Sequence, residues 1–247
     1  LFHELRRNGG RGRRTISGKG AARMSAPLNV DSVIESEREA MIAETRIAQC
    51  PPFVAVNNME VVAQYPTVLR SAHPASVKPL NGAKGSAFVV ECASLQSTCL
   101  WVATASDSYR EDYLQFLRST HGLQIASIPN AYDVDHLYNR SRAQIYMLGF
   151  IRLALVKGAA NRSHGASYEK DLTRNEAARV RKEMKLMDEI SMMKYFGYLS
   201  PLRANPRAAE VRAYASFAAS QMGLDADEIC KSVQYLRGKA STPWARS

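Results

Sequence analysis

Four cysteines in 247 residues are too few to staple a secreted scaffold. Their spacing writes no zinc site either, because Cys92 and Cys99 have no histidine near them and Cys50 and Cys230 are remote. With 14 glycines and 10 prolines, the chain is neither collagen-like nor of low complexity. No apolar run is long enough for a membrane-spanning helix, and no apolar stretch follows the arginine-rich start as a secretory signal would require. The glycine-rich pieces GGRGRR and GSAF lack the lysine and threonine of a phosphate loop and the strand-to-helix setting of a dinucleotide fold. No GxSxG nucleophile turn occurs. These absences lead us to expect a chain in a reducing, cytoplasmic setting, with no membrane partner.

What the sequence holds in quantity is apolar mass and positive charge. Hydrophobic residues make up 46%, enough for a real core, and 33 Lys and Arg against 23 Asp and Glu leave a net +10. The charge is uneven: residues 1–23 carry +6, residues 24–135 carry −5, residues 136–212 carry +8 and residues 213–247 carry +1. The first stretch, rich in Gly and Arg ahead of Met24, reads as a basic flexible leader, with a nucleic-acid-binding arm or a transit peptide as alternatives. The +8 stretch is the footprint that phosphate contacts need. Its part from Arg179 to Lys185 also alternates with Glu176 and Glu183, as pairs on a solvated helix do.

Periodicity divides the chain further. Asp31 is positioned to cap an amphipathic helix that Pro51 and Pro52 end. Short β-branched or aromatic runs at Phe53 to Val56, Val61 to Ala63, Ala87 to Val90 and Leu100 to Ala103 predict strands, interrupted by a helix from Tyr109 that His121 and Gly122 close. Asn175 to Phe196 predicts a long helix, whose Met184, Met187, Met192 and Met193 serve as core filling. Two more helices follow, from about Arg207 to Met222 and from Asp225 to near Gly238. Asp225 and Glu228 make a capping-box-like start for the last one. These two have offsets seen in helix-turn-helix units, but Asp225, Asp227 and Glu228 would repel phosphates, which favours a hairpin packed on the core. The order is α+β: an N-terminal helix and short-stranded mixed sheet, a ββα-like segment, then a helical C-terminal region. The expected regions are 1–23, an acidic α+β part over 24–130, the ββα-like segment over 131–175 and the helical part over 176–247.

Residues 131–170 concentrate the residue types that do chemistry. A strand over Tyr132 to Tyr138 places Asp133 and Asp135 on one face and His136 on the other, so Asp135 and His136 meet only if the strand bends. Residues 139–149 allow an inserted helix, Phe150 to Val156 predicts the second strand, and Lys157 to Asn161 a loop. A helix opening near Ser163 or Gly165 carries Tyr168 and Glu169. Carboxylates can hold a hard divalent cation and a neutral imidazole can take a proton from water, which together suit phosphodiester hydrolysis.

In its DVDH motif, the later Asn161 and a candidate ligand eight residues beyond it, this segment resembles the ββα-metal nuclease superfamily, of which the HNH endonucleases are the familiar branch. The resemblance implies that Asp135 binds metal, His136 is the general base, Asn161 braces the loop, and Glu169, or alternatively His164, is the ligand from the helix. Glu169 stands where that family has a closing histidine. The implied cofactor is Mg²⁺ or Mn²⁺ rather than Zn²⁺, and the implied activity is hydrolysis of DNA or RNA. Arg140, Arg142, Arg162, Lys170, Arg174 and Arg181 are the candidate phosphate contacts. Two expectations follow: a metal-dependent nuclease whose acidic N-terminal half docks a protein partner, or a noncatalytic module that binds nucleic acid or protein through its basic helical region.

Overall fold

The computed structural model describes residues 29–48, 50–68, 75–95, 97–175, 181–202 and 208–241. The first helix, α1 (Val30–Ala48), is started by Asn29 rather than Asp31. Ser32 N–H donates to Asn29 Oδ1 at 2.8 Å and Asn29 N–H donates to Ser32 Oγ at 3.0 Å, a reciprocal cap two residues earlier than the carboxylate expected to do it. Asp31 instead accepts the Tyr132 hydroxyl at 2.8 Å.

Strand β1 (Phe53–Val56) leads into α2 (Met59–Val68), which overturns the strand expected at Val61 to Ala63. Asn58 explains the change: its Oδ1 accepts Val61 N–H, so a side-chain cap turns a β-branched run into a helical turn. Then come β2 (Ser76–Pro79), β3 (Ala87–Cys92), a single 3₁₀ turn, β4 (Ser97–Ala103) and α3 (Tyr109–His121). As expected, α3 is closed by Gly122, in a left-handed conformation (φ 66°) that a side chain would strain.

Strand β5 (Tyr132–His136), α4 (Arg140–Ile145) and β6 (Phe150–Lys157) follow, with the inserted helix where the sequence allowed one. The loop expected at Lys157 to Asn161 is absent, because α5 (Gly158–Gly165) starts directly at the strand's end; α6 (Tyr168–Asn175) comes next. Residues 176–180 lie outside the described residues. The rest of the expected long helix is instead a short strand, β7 (Met184–Leu186), and α7 (Glu189–Tyr195), capped by Asp188. Its helix-forming composition is overruled by pairing with β1. Helices α8 (Ala208–Met222) and α9 (Ala226–Ser241) form the expected hairpin, with Asp225 Oδ1 accepting the N–H groups of Asp227 and Glu228.

The class is α+β, and every pairing among the described residues is antiparallel, so the sheet is not mixed. Its order is β2-β3-β4-β6-β1-β7, with β5 also on β6. Leu153 pairs with Leu100 of β4 and with His136 of β5, so those two strands occupy opposite edges of β6. Strand β1 pairs at Phe150 and Ile151, where β4 already holds the other edge, so β1 and β5 lie end to end and the sheet forks beside Arg152.

The fork has a core on each side. Ala154 and Val156 face the cluster built by α7, α8 and α9, including Met192, Met193, Tyr214 and Ile229. Leu153, Leu155 and Val134 face the one built by α3 and the start of α1, including Phe116, Leu117 and Val33. A third cluster joins β1, β3 and β4 through Phe53, Val90, Cys99 and Trp101. Each fully buried side chain of this size contributes about 1.5–3 kcal/mol.

Helix α1 lies over the sheet with two buried carboxylates, Glu37 and Glu44, two turns apart. Arg152 donates to Glu44 at 2.9 Å, and the Tyr113 hydroxyl donates to Glu37 at 2.9 Å. Burial pushes the Glu37 carboxyl up to about 7, against the opposing pull of the Tyr113 hydrogen bond and Arg152. A raised folded value favours folding below the ordinary 4.5, and this stabilisation is lost as pH rises through about 7. Glu37→Gln keeps an acceptor for Tyr113 and cannot ionise. Thermal melts are expected to show the variant gaining on the wild type between pH 5 and pH 8.5, by roughly 3 kcal/mol at most; a difference independent of pH would rule this out.

Candidate functional site

Alternation along β5 sends its polar side chains to opposite sides of the sheet. Asp133 lies opposite Val156 and Asp135 opposite Ala154, on the side of α5, α6 and α7, whereas His136 lies opposite Leu153 on the side of α3. The strand carries no bend that would unite Asp135 with His136.

On the first side, Asp135 and Glu169 converge, as the sequence suggested, but they converge on an ammonium group. Lys194 Nζ sits 2.5 Å from Asp135 Oδ2 and also donates to Glu169 Oε1. The lysine side chain is 1% exposed, against 13% for Asp135 and 19% for Glu169. Asp188 sets this geometry: its Oδ1 caps α7 by accepting Ser191 N–H, and its Oδ2 accepts the Tyr168 hydroxyl at 3.0 Å, tying the start of α6 to the start of α7. Beside the triplet, Asn161 Nδ2 donates to Asp133 Oδ2 at 3.2 Å, and Arg162 stands 3.7 Å from the same oxygen. Asn161 thus braces α5 against β5 and does not reach His136 through a loop.

Burial raises the Asp135 carboxyl to about 6; Lys194 opposes that shift and Glu169 adds to it. Burial would by itself depress Lys194, but the two carboxylates override it and hold the ammonium protonated above its ordinary value.

On the other side, the His136 ring lies 4.4 Å from Tyr109, whose ring also carries the Arg110 guanidinium at 4.7 Å. Burial first, then the charges of Arg140, Lys194 and Arg110, depress its imidazole to about 4. Its Nε2 is buried and has no hydrogen-bond partner among the described residues. The ring is therefore neutral at physiological pH, as a base must be, but it stands away from the carboxylates. His164 is fully buried, with Nε2 3.1 Å from the Tyr198 carbonyl oxygen, and does not join Asp135.

The space between Asp135 and Glu169, where the resemblance implied a metal, holds the Lys194 ammonium. No group of three or more His, Cys, Asp or Glu side chains that could hold a metal occurs among the described residues. As arranged here, the residues do not fit a divalent cation, since each candidate carboxylate already neutralises the lysine.

The expected phosphate contacts separate into two kinds. Arg140 is partly exposed, donating to the Thr104 carbonyl at 2.8 Å and pairing with the exposed Asp107, and Arg142 is buried over the Tyr138 ring. Arg162, Lys170 and Arg181 are exposed. The Arg174 side chain lies outside what is described. Lys182 and Lys185, part of the basic stretch marked in the sequence, stand 4.0 and 4.5 Å from the Tyr146 ring centre; Lys194 was not a candidate. The one sequence signal for Lys194 was a charge set among Met192, Met193, Tyr195 and Phe196. Comparison with family models, curated proteins and solved structures found no match.

Two measurements check the site. Lys194→Met leaves two buried carboxylates without a counter-charge and is expected to cost about 3–5 kcal/mol in urea unfolding, with much of it recovered when Asp135→Asn and Glu169→Gln are added. Unchanged stability in the single variant would show that the triplet is not the tie described. His136 is expected to hold a constant imidazole proton shift in NMR from pH 8 to pH 5 and to titrate near 4. Because its folded value is depressed, its contribution to stability is present above 6.5 and lost as pH falls through about 4. A midpoint near 6.5 would contradict the burial.

Proposed function

We propose that this protein is a noncatalytic module that binds nucleic acid through its phosphates, using cations that folding gathers around Tyr146. The observation that carries the reading is the cluster at Tyr146, where the ammonium groups of Lys182 and Lys185 share one ring beside the exposed Arg181. Like charges held together by an aromatic face make a concentrated positive field, which attracts a polyanion and releases its counterions. Tyr146 itself is buried, so it orders the lysines and offers no stacking platform to a base. The reading therefore favours backbone contact without sequence preference. No helix among the described residues is long and apolar enough to cross a membrane. The reading includes a cytoplasmic setting, in line with four cysteines that are all free thiols.

A second reading, a metal-dependent nuclease, is supported by the convergence of Asp135 and Glu169 beside Asp133 and Asn161. It requires Mg²⁺ or Mn²⁺ to displace Lys194.

Fluorescence anisotropy with labelled duplex and single-stranded DNA and RNA separates the two. Under the binding reading, affinity falls steeply with salt and survives His136→Ala. Replacing Lys182 and Lys185 by Gln lowers the slope of log affinity against log salt by about 2 on duplex DNA. Plasmid DNA and total RNA stay intact with or without Mg²⁺ or Mn²⁺. Metal-dependent cleavage that His136→Ala abolishes would overturn the binding reading in favour of the second.

A further inference from the structure

The Lys194 triplet has a geometry that an ion pair does not need. Lys194 Nζ lies 2.5 Å from Asp135 Oδ2, yet that oxygen is buried and accepts no hydrogen bond among the described residues, so the nitrogen approaches it outside hydrogen-bond geometry. Asp135 Cγ stands one C–O bond from Oδ2 and therefore within about 3.7 Å of Nζ. Reacting atoms in a near-attack arrangement are about 3–3.5 Å apart, so the nitrogen is at most a few tenths of an ångström beyond attack distance on a carboxyl carbon. On its other side Nζ donates to Glu169 Oε1, a second carboxylate placed to take a proton from it.

The surroundings favour a neutral product over three ions. Lys194 is buried between Met193 and Tyr195, which are buried too. In water an amine and an acid stay apart because both ionise and hydrate; here the ammonium has lost its hydration, a cost that an amide does not carry. The fold also holds the two groups in contact, which gives each an effective concentration far above any reached in solution. Asp135 and Glu169 keep some exposure, so a released water can leave on the carboxylate side. Burial favours the protonated form of the Asp135 carboxyl. The two carboxylates hold the ammonium protonated, so the attacking amine arises by passing one proton to Glu169 along the existing hydrogen bond.

We propose that Lys194 and Asp135 condense into an intramolecular amide, with Glu169 as the base and the acid of the reaction. The Nζ–Cγ bond forms as the Lys194 amine adds to the Asp135 carboxyl carbon. Glu169, carrying the proton taken from the ammonium, delivers it to the departing hydroxyl and takes another from the nitrogen as the Cγ–O bond breaks. An ammonium, an acid and a carboxylate thus become one amide, one water and the Glu169 acid, and no oxidant or co-reactant enters. The ion triplet is the state from which condensation starts, and the amide ties β5 to α7 permanently. The proposal does not rest on nucleic-acid binding.

Mass spectrometry of the purified full chain under denaturing conditions tests it, because unfolding releases an ion pair and not an amide. The expected mass is one water below that of the sequence. A tryptic digest is expected to yield residues 119–140 joined to residues 186–203, with cleavage after Lys194 blocked. Lys194→Met and Asp135→Ala are each expected to show their full sequence mass. Glu169→Gln keeps the size of the side chain but cannot take the ammonium's proton; this variant, folded by circular dichroism, is expected to form the amide at least about tenfold more slowly. A wild-type chain at its full sequence mass, or a one-water loss that persists in Lys194→Met, would overturn the proposal. Residues 163–170 joined to residues 186–203 would overturn the assignment to Asp135. An undiminished rate in Glu169→Gln would overturn the role of Glu169.

Discussion

The pairing of Leu153 on both edges of β6 is the constraint from which the rest of this molecule follows. Because β4 holds one edge at that residue and β5 the other, β1 can join β6 only further along, and the sheet must fork. Backbone satisfaction at the fork is completed by Leu137 N–H, which donates to the Arg152 carbonyl oxygen at 3.0 Å. A strand register has no half steps: with His136 opposite Leu153, Asp135 must point to the other face. The separation of the imidazole from the carboxylates, and with it the loss of the Asp-His pair that the sequence suggested, is fixed by that register. The same fork leaves Arg152 facing α1, where Glu44 is within reach.

Two ionic groups are buried against these layers, and they differ in what they ask of the fold. Arg152 and Glu44 form a one-to-one pair, neutral as a unit. Lys194 has two carboxylates, so its site carries a net negative charge when all three are ionised, and the excess is relieved when Asp135 takes a proton near pH 6. Breaking a buried pair costs far more than its presence contributes, because the remaining charge loses both its partner and water. Such groups therefore act as locks. Asp135 comes from β5, Glu169 from α6 and Lys194 from α7, and only one arrangement of the three elements satisfies all of them.

The parts of this structure that were legible in the sequence are those decided locally. The short runs expected as strands at Phe53, Ala87, Leu100, Tyr132 and Phe150 became strands, the Tyr109 helix stopped at Gly122, and Asp225 started the last helix. Where two local signals competed, the outcome was not legible: at Val61 to Ala63 β-branching favoured a strand, and a single Asn58 side chain decided for a helix. Residues 184–186 were misread for a different reason. Lys and Met favour a helix, but the partner that makes them a strand is β1, more than a hundred residues away. The same limit applies to the site. The meeting of Asp135 with Glu169 could be guessed from a strand and a helix, but not the lysine between them, which arrives from a third element.

That lysine also decides which chemistry this face of β5 can support. A hard divalent cation needs several oxygen ligands and a carboxylate pair free to supply them. Here each carboxylate is spent on an ammonium that has no water to return to, since its side chain is 1% exposed. Displacing it would strand a buried positive charge against an incoming doubly positive one, and at short range in a poorly screened interior like charges repel by several kcal/mol. Phosphate gains nothing here either, because the carboxylates that hold Lys194 would face it. A count of basic residues along the chain does not tell which of them the interior uses. Arg142, at the head of the basic stretch, is buried over the Tyr138 ring, while Arg162, Lys170 and Arg181 are exposed. Folding thus divides a basic segment into side chains that hold the protein together and side chains left exposed.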